Sequence, residues 1–270
     1  MTLSQSLSRT FAVTCLAAAL VTGAALAEEF QPQVGQAGKD VVWVPSPQAL
    51  VDRMLDIAKV APGDLLMDLG SGDGRTVITA ARRGVEAVGV EFNPKMVTLS
   101  RQNAEKAGAT KLATFIEGDL FQADLSKATV ITMFLLPDIN LRLRPKILDL
   151  KPGLRVVSNS FDMGDWTPEL TIQAGEGCTS WCRAHLWIVP AKVAGTWKLP
   201  NGELTLEQKY QTVTGTLRAG NSSMAISNGK LVGELITFMA GDAQYTGRVN
   251  GDAIEGVSQT ATTFQATRSK

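Results

Sequence analysis

Apolar positions along residues 46–190 alternate between two spacings. Leu50, Val51, Met54, Leu55 and Ala58 recur at helical spacing, with Ser46 and Pro47 read as the N-cap and first position of that helix. The short apolar run 65–69 reads as a strand, 76–83 as a helix stopping at Gly84, and 87–91 as a second strand. Another helix starts at Asn93-Pro94 and ends at Gly108, with Lys106 in its last turn. Strand runs follow at 113–117, 129–134 and 155–158, with helical material over 139–150, and 183–189 reads as the last strand of the sheet. Strands alternating with helices predict an α/β domain: a mostly parallel, Rossmann-like sheet with helices on both faces.

Beyond Pro190 the helical period is lost. Residues 195–270 are rich in Gly, Thr and Ser and carry short alternating runs such as Glu203-Leu204-Thr205-Leu206-Glu207. Asn228-Gly229 and Asn250-Gly251 sit between such runs and predict tight two-residue hairpin turns, hence a small antiparallel β-meander. Two packings stay open for it, a small barrel or a sheet laid against the first domain. The expected division is 1–27, 28–41 as a polar linker, 42–190 as the α/β domain, and 195–270 as the β-rich domain.

The first 27 residues have the pattern of an export signal: Arg9, an apolar run over 11–26, and Ala25-Leu26-Ala27 as a small-residue cleavage site before Glu28. The run is shorter than the roughly 20 apolar residues a spanning helix needs, so cleavage, a periplasmic location and no membrane span in the mature chain are expected. Cys15 would leave with the signal. Cys178 and Cys182 then remain, and an oxidising compartment lets them pair if their Cα atoms come within reach. Metal binding is the weaker reading, because only His185 lies near them.

Composition narrows the partners. Acidic and basic residues number 26 each with a single histidine, so no overall field recruits nucleic acid or an anionic membrane. His185, in an apolar run, reads as a packed structural histidine. Trp181, Trp187 and Trp197 read as core or domain-junction residues, because no basic cluster accompanies them.

The chemistry concentrates in Asp68-Leu69-Gly70-Ser71-Gly72-Asp73-Gly74-Arg75, a glycine-rich turn between the first strand and the next helix. Such a turn lets a ligand approach the backbone, and the crevice at strand carboxyl ends is where open α/β sheets bind ligands. Two acids follow at the next strand ends. Glu91 is placed to accept both hydroxyl hydrogens of a ribose, and Asp119 to accept from an adenine amino group. A dinucleotide site is disfavoured: Asp68 directly precedes the loop, the glycines run Gly-x-Gly-x-Gly, and a nicotinamide enzyme gives no reason for Gly118-Asp119.

Through this loop, Glu91 and Gly118-Asp119-Leu120, the sequence resembles the class I, seven-strand S-adenosylmethionine (SAM)-dependent methyltransferases. Val44-Pro45-Ser46-Pro47, Phe134-Leu135-Leu136-Pro137 and Phe161-Asp162-Met163-Gly164-Asp165-Trp166 look like bacterial relatives of the ATP synthase c-subunit lysine methyltransferase family. The resemblance covers roughly residues 42–189. It implies SAM as cofactor, with Asp68, Gly70, Ser71 and Gly72 around its methionine part, Glu91 on the ribose, and Asp119 and Leu120 at the adenine. Pro45 and Ser46 would close over it. It also implies a methyl acceptor, with a protein lysine suggested by the family.

Leu136, Pro137, Asn140, Asp162 and Trp166 are the acceptor-side candidates, set against strand-end packing, helix capping and a turn as their alternative roles. The Asn-Pro-Pro-Tyr type of motif is absent from this strand end, which argues against DNA or glutamine as acceptor. Methyl transfer is an in-line displacement, so alignment and water exclusion matter more than a dedicated base. The contrasting reading is an exported, non-catalytic nucleoside-binding or scaffold protein that retains the fold. SAM is made in the cytoplasm, so an exported enzyme would need cofactor imported, cofactor bound before export, or an N-terminus that is not actually cleaved.

Overall fold

Apolar alternation over the strand segments builds a seven-stranded sheet. The structure, a computed structural model, describes residues 30–269, so the expected signal over 1–27 lies outside the described residues. The first helix, α1 (Gln48–Ile57), precedes β1 (Leu65–Leu69), α2 (Arg75–Arg82), β2 (Glu86–Glu91), α3 (Pro94–Lys106), β3 (Ala113–Glu117), β4 (Val130–Met133), α4 (Pro137–Leu148) and β5 (Arg155–Asn159). Two further strands, β6 (Leu170–Gln173) and β7 (Arg183–Ile188), complete the order β3-β2-β1-β4-β5-β7-β6. Strands β1 to β5 pair in parallel, and β7 runs antiparallel to both β5 and β6.

The period of two along each strand divides the core between the sheet's faces. Leu66 joins a cluster with Leu50, Val51, Leu55 and Val77, while Met67 and Leu69 join the opposite one with Leu143, Ile147 and Trp187. The parallel strands bring their carboxyl ends to one edge, and the order reverses between β1 and β4, which opens a crevice there.

Two local expectations change. Ser46 is not the cap of α1: Pro47 holds that position without a side-chain hydrogen bond, and Ser46 Oγ instead accepts from Asn159 Nδ2 at 2.9 Å. The edge strand β6 went unforeseen, because its exposed, partly polar Leu-Thr-Ile-Gln carries almost no apolar run. At α3 the expected cap forms, with Lys95 N donating to Asn93 Oδ1 at 2.9 Å.

The β-rich tail closes on itself. Strands β8 (Gly195–Leu199), β9 (Gly202–Lys209), β10 (Thr212–Ala219), β11 (Ser222–Val232), β12 (Leu235–Ala240), β13 (Ala243–Asn250), β14 (Ala253–Ser258) and β15 (Thr263–Arg268) form a closed antiparallel barrel. Thr267 pairs with Lys198 and Arg268 with Trp197 to seal it. Inward positions are apolar (Trp197, Leu204, Leu206, Ile236, Phe238, Ile254) and fill the interior, as an eight-stranded barrel requires. Apolar in and polar out is the reverse of a lipid-facing barrel. Among the described residues no helix is long and apolar enough to cross a membrane.

Asn228-Gly229 is not a hairpin turn. It lies inside β11 as a bulge: two residues of β11 oppose one of β10 between the pairs Val213↔Gly229 and Gly215↔Ile226, with Asn228 at φ 52°. A Cβ on Gly229 would sit 2.1 Å from the Val213 carbonyl oxygen, so the glycine is there for close approach. The Asn250-Gly251 signal does mark a hairpin, its loop displaced by one residue to Gly251-Asp252.

The barrel docks on the loop after β5. Tyr210 stacks on Trp166 with ring centroids 6.1 Å apart, and its hydroxyl donates to Asp165 Oδ1 at 2.8 Å. Gln211 Nε2 donates to the Thr167 carbonyl at 2.7 Å. Trp166 is 1% exposed and its ring lies 6.1 Å from Trp187, so this acceptor-side candidate is an anchor between domains.

Candidate active site

β1 ends in a turn that only glycine permits at two points. Gly70 and Gly72 have φ of 76° and 55°, and a Cβ on Gly72 would lie 2.7 Å from Trp43 Nε1. Gly70 N and Ser71 N both donate to the Val90 carbonyl, at 2.9 and 3.1 Å, which ties the turn to the end of β2. Ser71 Oγ is buried without a hydrogen-bond partner among the described residues. Glu91 closes the turn from the other side: Oε2 accepts from Gly72 N at 3.0 Å and Oε1 from Asn93 N at 2.9 Å. A carboxylate has about four acceptor positions, so both oxygens can take further donors.

Asp68 lies at the bottom of the crevice, 6% exposed, and Thr132 Oγ1 donates to its Oδ1 at 2.7 Å. Burial pushes its carboxyl up to about 7, repulsion from Asp73 and Glu91 adds to the rise, and the Thr132 hydrogen bond opposes it. Three acids around one crevice, one of them desolvated, favour a cationic ligand over an anionic one. Asp119 stands at the outer end. Lys39 Nζ pairs with its Oδ2 at 2.6 Å and Phe121 N donates to its Oδ1 at 2.9 Å, and these hold its carboxyl below the usual range, Lys39 most strongly.

Pro45, Ser46, Asp68, Gly70, Ser71, Gly72, Glu91, Asp119 and Leu120, taken from the sequence as cofactor contacts, all line one cavity. The structure adds a group that sequence reasoning missed. Residues 36–44, the end of the expected linker and the residues after it, form a strap along the same cavity, bringing Lys39 and Trp43 to it. The legible signal was the apolar Val41-Val42-Trp43-Val44 at the end of a polar stretch. Arg75 locks the strap down. Its guanidinium pairs with Asp73 and donates to the Ser46 carbonyl at 2.7 Å.

The acceptor-side candidates separate. Leu136 and Pro137 are exposed at the start of α4, next to Phe134, which lines the cavity. Asn140 is fully buried, and its Nδ2 donates to the carbonyls of Asp162 at 3.0 Å and Phe161 at 3.4 Å. It braces the loop after β5 and does not touch the cavity. Asp162 is exposed and accepts from Gly164 N at 3.0 Å, closing a turn. His185 is structural: Nε2 donates to the Ser160 carbonyl at 3.3 Å, which leaves Nδ1 to accept from Thr171 at 2.9 Å, and burial lowers its pKa. Trp187 and Trp197 are buried, but Trp181 is 44% exposed, contrary to its expected place in the core or the domain junction. Cys178 and Cys182 are disulfide-bonded with Cα atoms 5.8 Å apart.

Comparison with known proteins gives a consistent picture. The sequence profile of the ANTKMT methyltransferase domain matches residues 68–170. A protein-lysine N-methyltransferase of Saccharolobus islandicus is 46% identical over 140 residues, which is 51% of this chain and 87% of the relative. The ATP synthase c-subunit lysine N-methyltransferase of Mus musculus is 36% identical over 182 residues, 67% of this chain and 70% of the relative. Among solved structures, an RNA methyltransferase from Salinibacter ruber in complex with S-adenosyl-L-homocysteine is similar, with a TM-score of 0.52. It shares 47% identity and covers 56% of this chain and 96% of that one.

Proposed function

Because the chain belongs to the class I SAM-dependent methyltransferases, in the family of the ATP synthase c-subunit lysine methyltransferases, we propose that the side-chain amine of a protein lysine is its methyl acceptor. The chain is a methyltransferase and SAM is its cofactor. The observation that carries the lysine reading is the 46% identity over 87% of the Saccharolobus protein-lysine enzyme.

The residues of the crevice fit the cofactor's chemistry. When bound, SAM supplies a methyl group carried on a sulfonium, together with an ammonium, a ribose diol and an adenine. In this reading the buried Asp68, with Gly70, Ser71 and Gly72, surrounds the cationic methionine portion. Ser71 Oγ, without a partner among the described residues, gains one there. Glu91 takes the diol with its spare acceptor positions, and Asp119 and Leu120 meet the adenine. Pro45 and Ser46, held by Arg75 and Asn159, exclude water from the crevice. Transfer then depends on the acceptor nitrogen being aligned and deprotonated as it enters, which apolar surface at the end of β4 favours.

An RNA acceptor is the second reading, favoured by the name of the Salinibacter relative. Against it stands the even balance of 26 acidic and 26 basic residues, where an RNA enzyme relies on an excess of Lys and Arg for phosphate contacts. We further propose an exported, periplasmic protein. The apolar run over 11–26 with its small-residue site supports this, as does a disulfide, a bond that persists in oxidising compartments.

Residues 28–270 titrated with SAM by calorimetry should bind saturably, and Glu91→Ala should weaken binding by at least tenfold. Transfer of labelled methyl from SAM to cell fractions, followed by protease or ribonuclease digestion, identifies the acceptor. Protease-sensitive, ribonuclease-resistant label at lysine is expected; label lost to ribonuclease would replace the lysine reading with the RNA one.

A further inference from the structure

The strap over residues 36–44 walls one side of the cofactor cavity, and it is held firmly at its base and loosely at its tip. Gly35 N donates to the Trp43 carbonyl at 2.8 Å and Trp43 N to the Gln36 carbonyl at 2.9 Å, so the chain leaves and returns at one point. The segment between is a compact loop closed by its own backbone, a shape that moves as a unit. Gly38 makes its bend, where a Cβ would lie 2.2 Å from the Val41 carbonyl oxygen. At the base, Trp43 lies against Gly72, and Arg75 donates to the Ser46 carbonyl at 2.7 Å.

The tip is held by charge. Residues 37–40 and Val42 are exposed, and Val41 is partly buried, so little apolar surface fixes the loop. The Lys39 ammonium ties it to the sheet domain: Nζ lies 2.6 Å from Asp119 Oδ2 and 4.7 Å from the centre of the Phe92 ring, with Asp40 Oδ2 4.0 Å away. Phe92 follows β2 and Asp119 follows β3, so one side chain bridges the loop to two strand ends at the outer mouth of the cavity. The paired side chains are 35% and 26% exposed, which leaves the pair weak enough to open and within reach of screening by salt. The pair also leaves room for the cofactor. Lys39 and Phe121 N take one position on each Asp119 oxygen, and a carboxylate offers about four, so an adenine amino group can be received with the lysine in place.

We propose that Lys39 is a latch: its pairing with Asp119 holds the strap shut over the adenine end of the cavity, and SAM enters and S-adenosylhomocysteine leaves when that pair opens. The inference rests on the SAM reading of the crevice and adds to it a residue that sets the rate of cofactor exchange. Lys39 lies outside residues 68–170, so the family match does not account for it. The pair is made without cofactor and kept with it. Its strength therefore cancels from the affinity and appears in the rates of entry and exit, as for lids that gate a site.

The test follows association of S-adenosylhomocysteine with residues 28–270 by stopped-flow tryptophan fluorescence, and release of the tritiated ligand into an excess of unlabelled ligand. Calorimetry supplies Kd, and the melting temperature reports folding. Lys39→Met should speed association and release alike by at least tenfold with Kd nearly unchanged, and Lys39→Arg should stay near the wild type. Raising the ionic strength should speed release from the wild type several-fold more than from Lys39→Met, because screening acts on the pair. Unchanged rates in Lys39→Met overturn the latch. Faster release with unchanged association also overturns it, since Lys39 would then be an ordinary ligand contact, and so does tighter binding, since Lys39 would then be a plug that the cofactor displaces. Failure of the wild type to bind S-adenosylhomocysteine would instead remove the reading on which the latch rests.

Discussion

Asp68 ties the pH behaviour of the protein to its cofactor. Its folded-state carboxyl lies near 7, above the unfolded value of 3.8, so the native state binds this proton more tightly. Its contribution to stability is therefore full below about pH 4 and is lost as the pH rises towards 7. Thermal unfolding of the cofactor-free protein should show a decline across that window, and Asp68→Asn should flatten it. A cation bound beside Asp68 reverses the preference. SAM affinity should rise between pH 6 and 8, by at most about tenfold per unit, with a proton released on binding. Calorimetry in buffers of different ionisation enthalpy measures that proton, and a release of zero would remove Asp68 from the cationic subsite.

The loops at the carboxyl edge of the sheet decide what the elements can hold. Gly72→Ala places a methyl against Trp43 at a positive φ, so the strap must lift or the turn must change. SAM affinity should fall by tenfold or more while the melting temperature moves by only a few degrees, since the strain stays local. A large drop in stability with affinity unchanged would mean the strap is not part of the site. Most of this layer was legible from the chain: β1 and β3 match their apolar runs residue for residue, and Asn93-Pro94 starts α3 as its chemistry demands. The misses share a cause. Ser46, Asn228-Gly229 and Trp181 each carry a local signal that a distant partner overrides: Asn159 for the serine, the bulged ladder of β10 and β11 for the pair, and the rings of Phe134 and Phe161 for the tryptophan. Periodicity reports one residue's neighbours in sequence, whereas these three were decided by neighbours in space.

At the scale of the whole molecule, the sheet domain meets the barrel where Gly233 packs on Gly153, where Lys230 pairs with Glu169, and at a patch of rings and charges after β5. Trp166, Tyr210 and Asp165 form its centre, with Lys209 and Arg144 also paired to Asp165. The Tyr210 hydroxyl first, then Lys209 and Arg144, hold the Asp165 carboxyl down to about 2. This ion cluster is intact above about pH 4 and is lost as the pH falls through 2. Tyr210→Ala removes the ring stack and the hydrogen bond together, at a cost of roughly 1–2 kcal/mol. Scanning calorimetry should then resolve two unfolding transitions where the wild type shows one, and a single unshifted transition would mean that the domains are coupled elsewhere.

The seal between β8 and β15 joins the barrel's first strand to its last. Every other strand pair in the barrel links sequence neighbours through a short turn, so those hairpins can zip up locally, but the closing pair spans the whole domain and must wait for it. Until then β8 to β14 can pair only as an open sheet with free edges, the form in which a chain recruits foreign strands. In a chain that crosses a membrane as it is made, the final six-residue strand would act as a timer. The barrel could not lock before that strand had emerged on the far side, and loss of residues 263–268 should leave a chain that aggregates although its catalytic crevice is untouched.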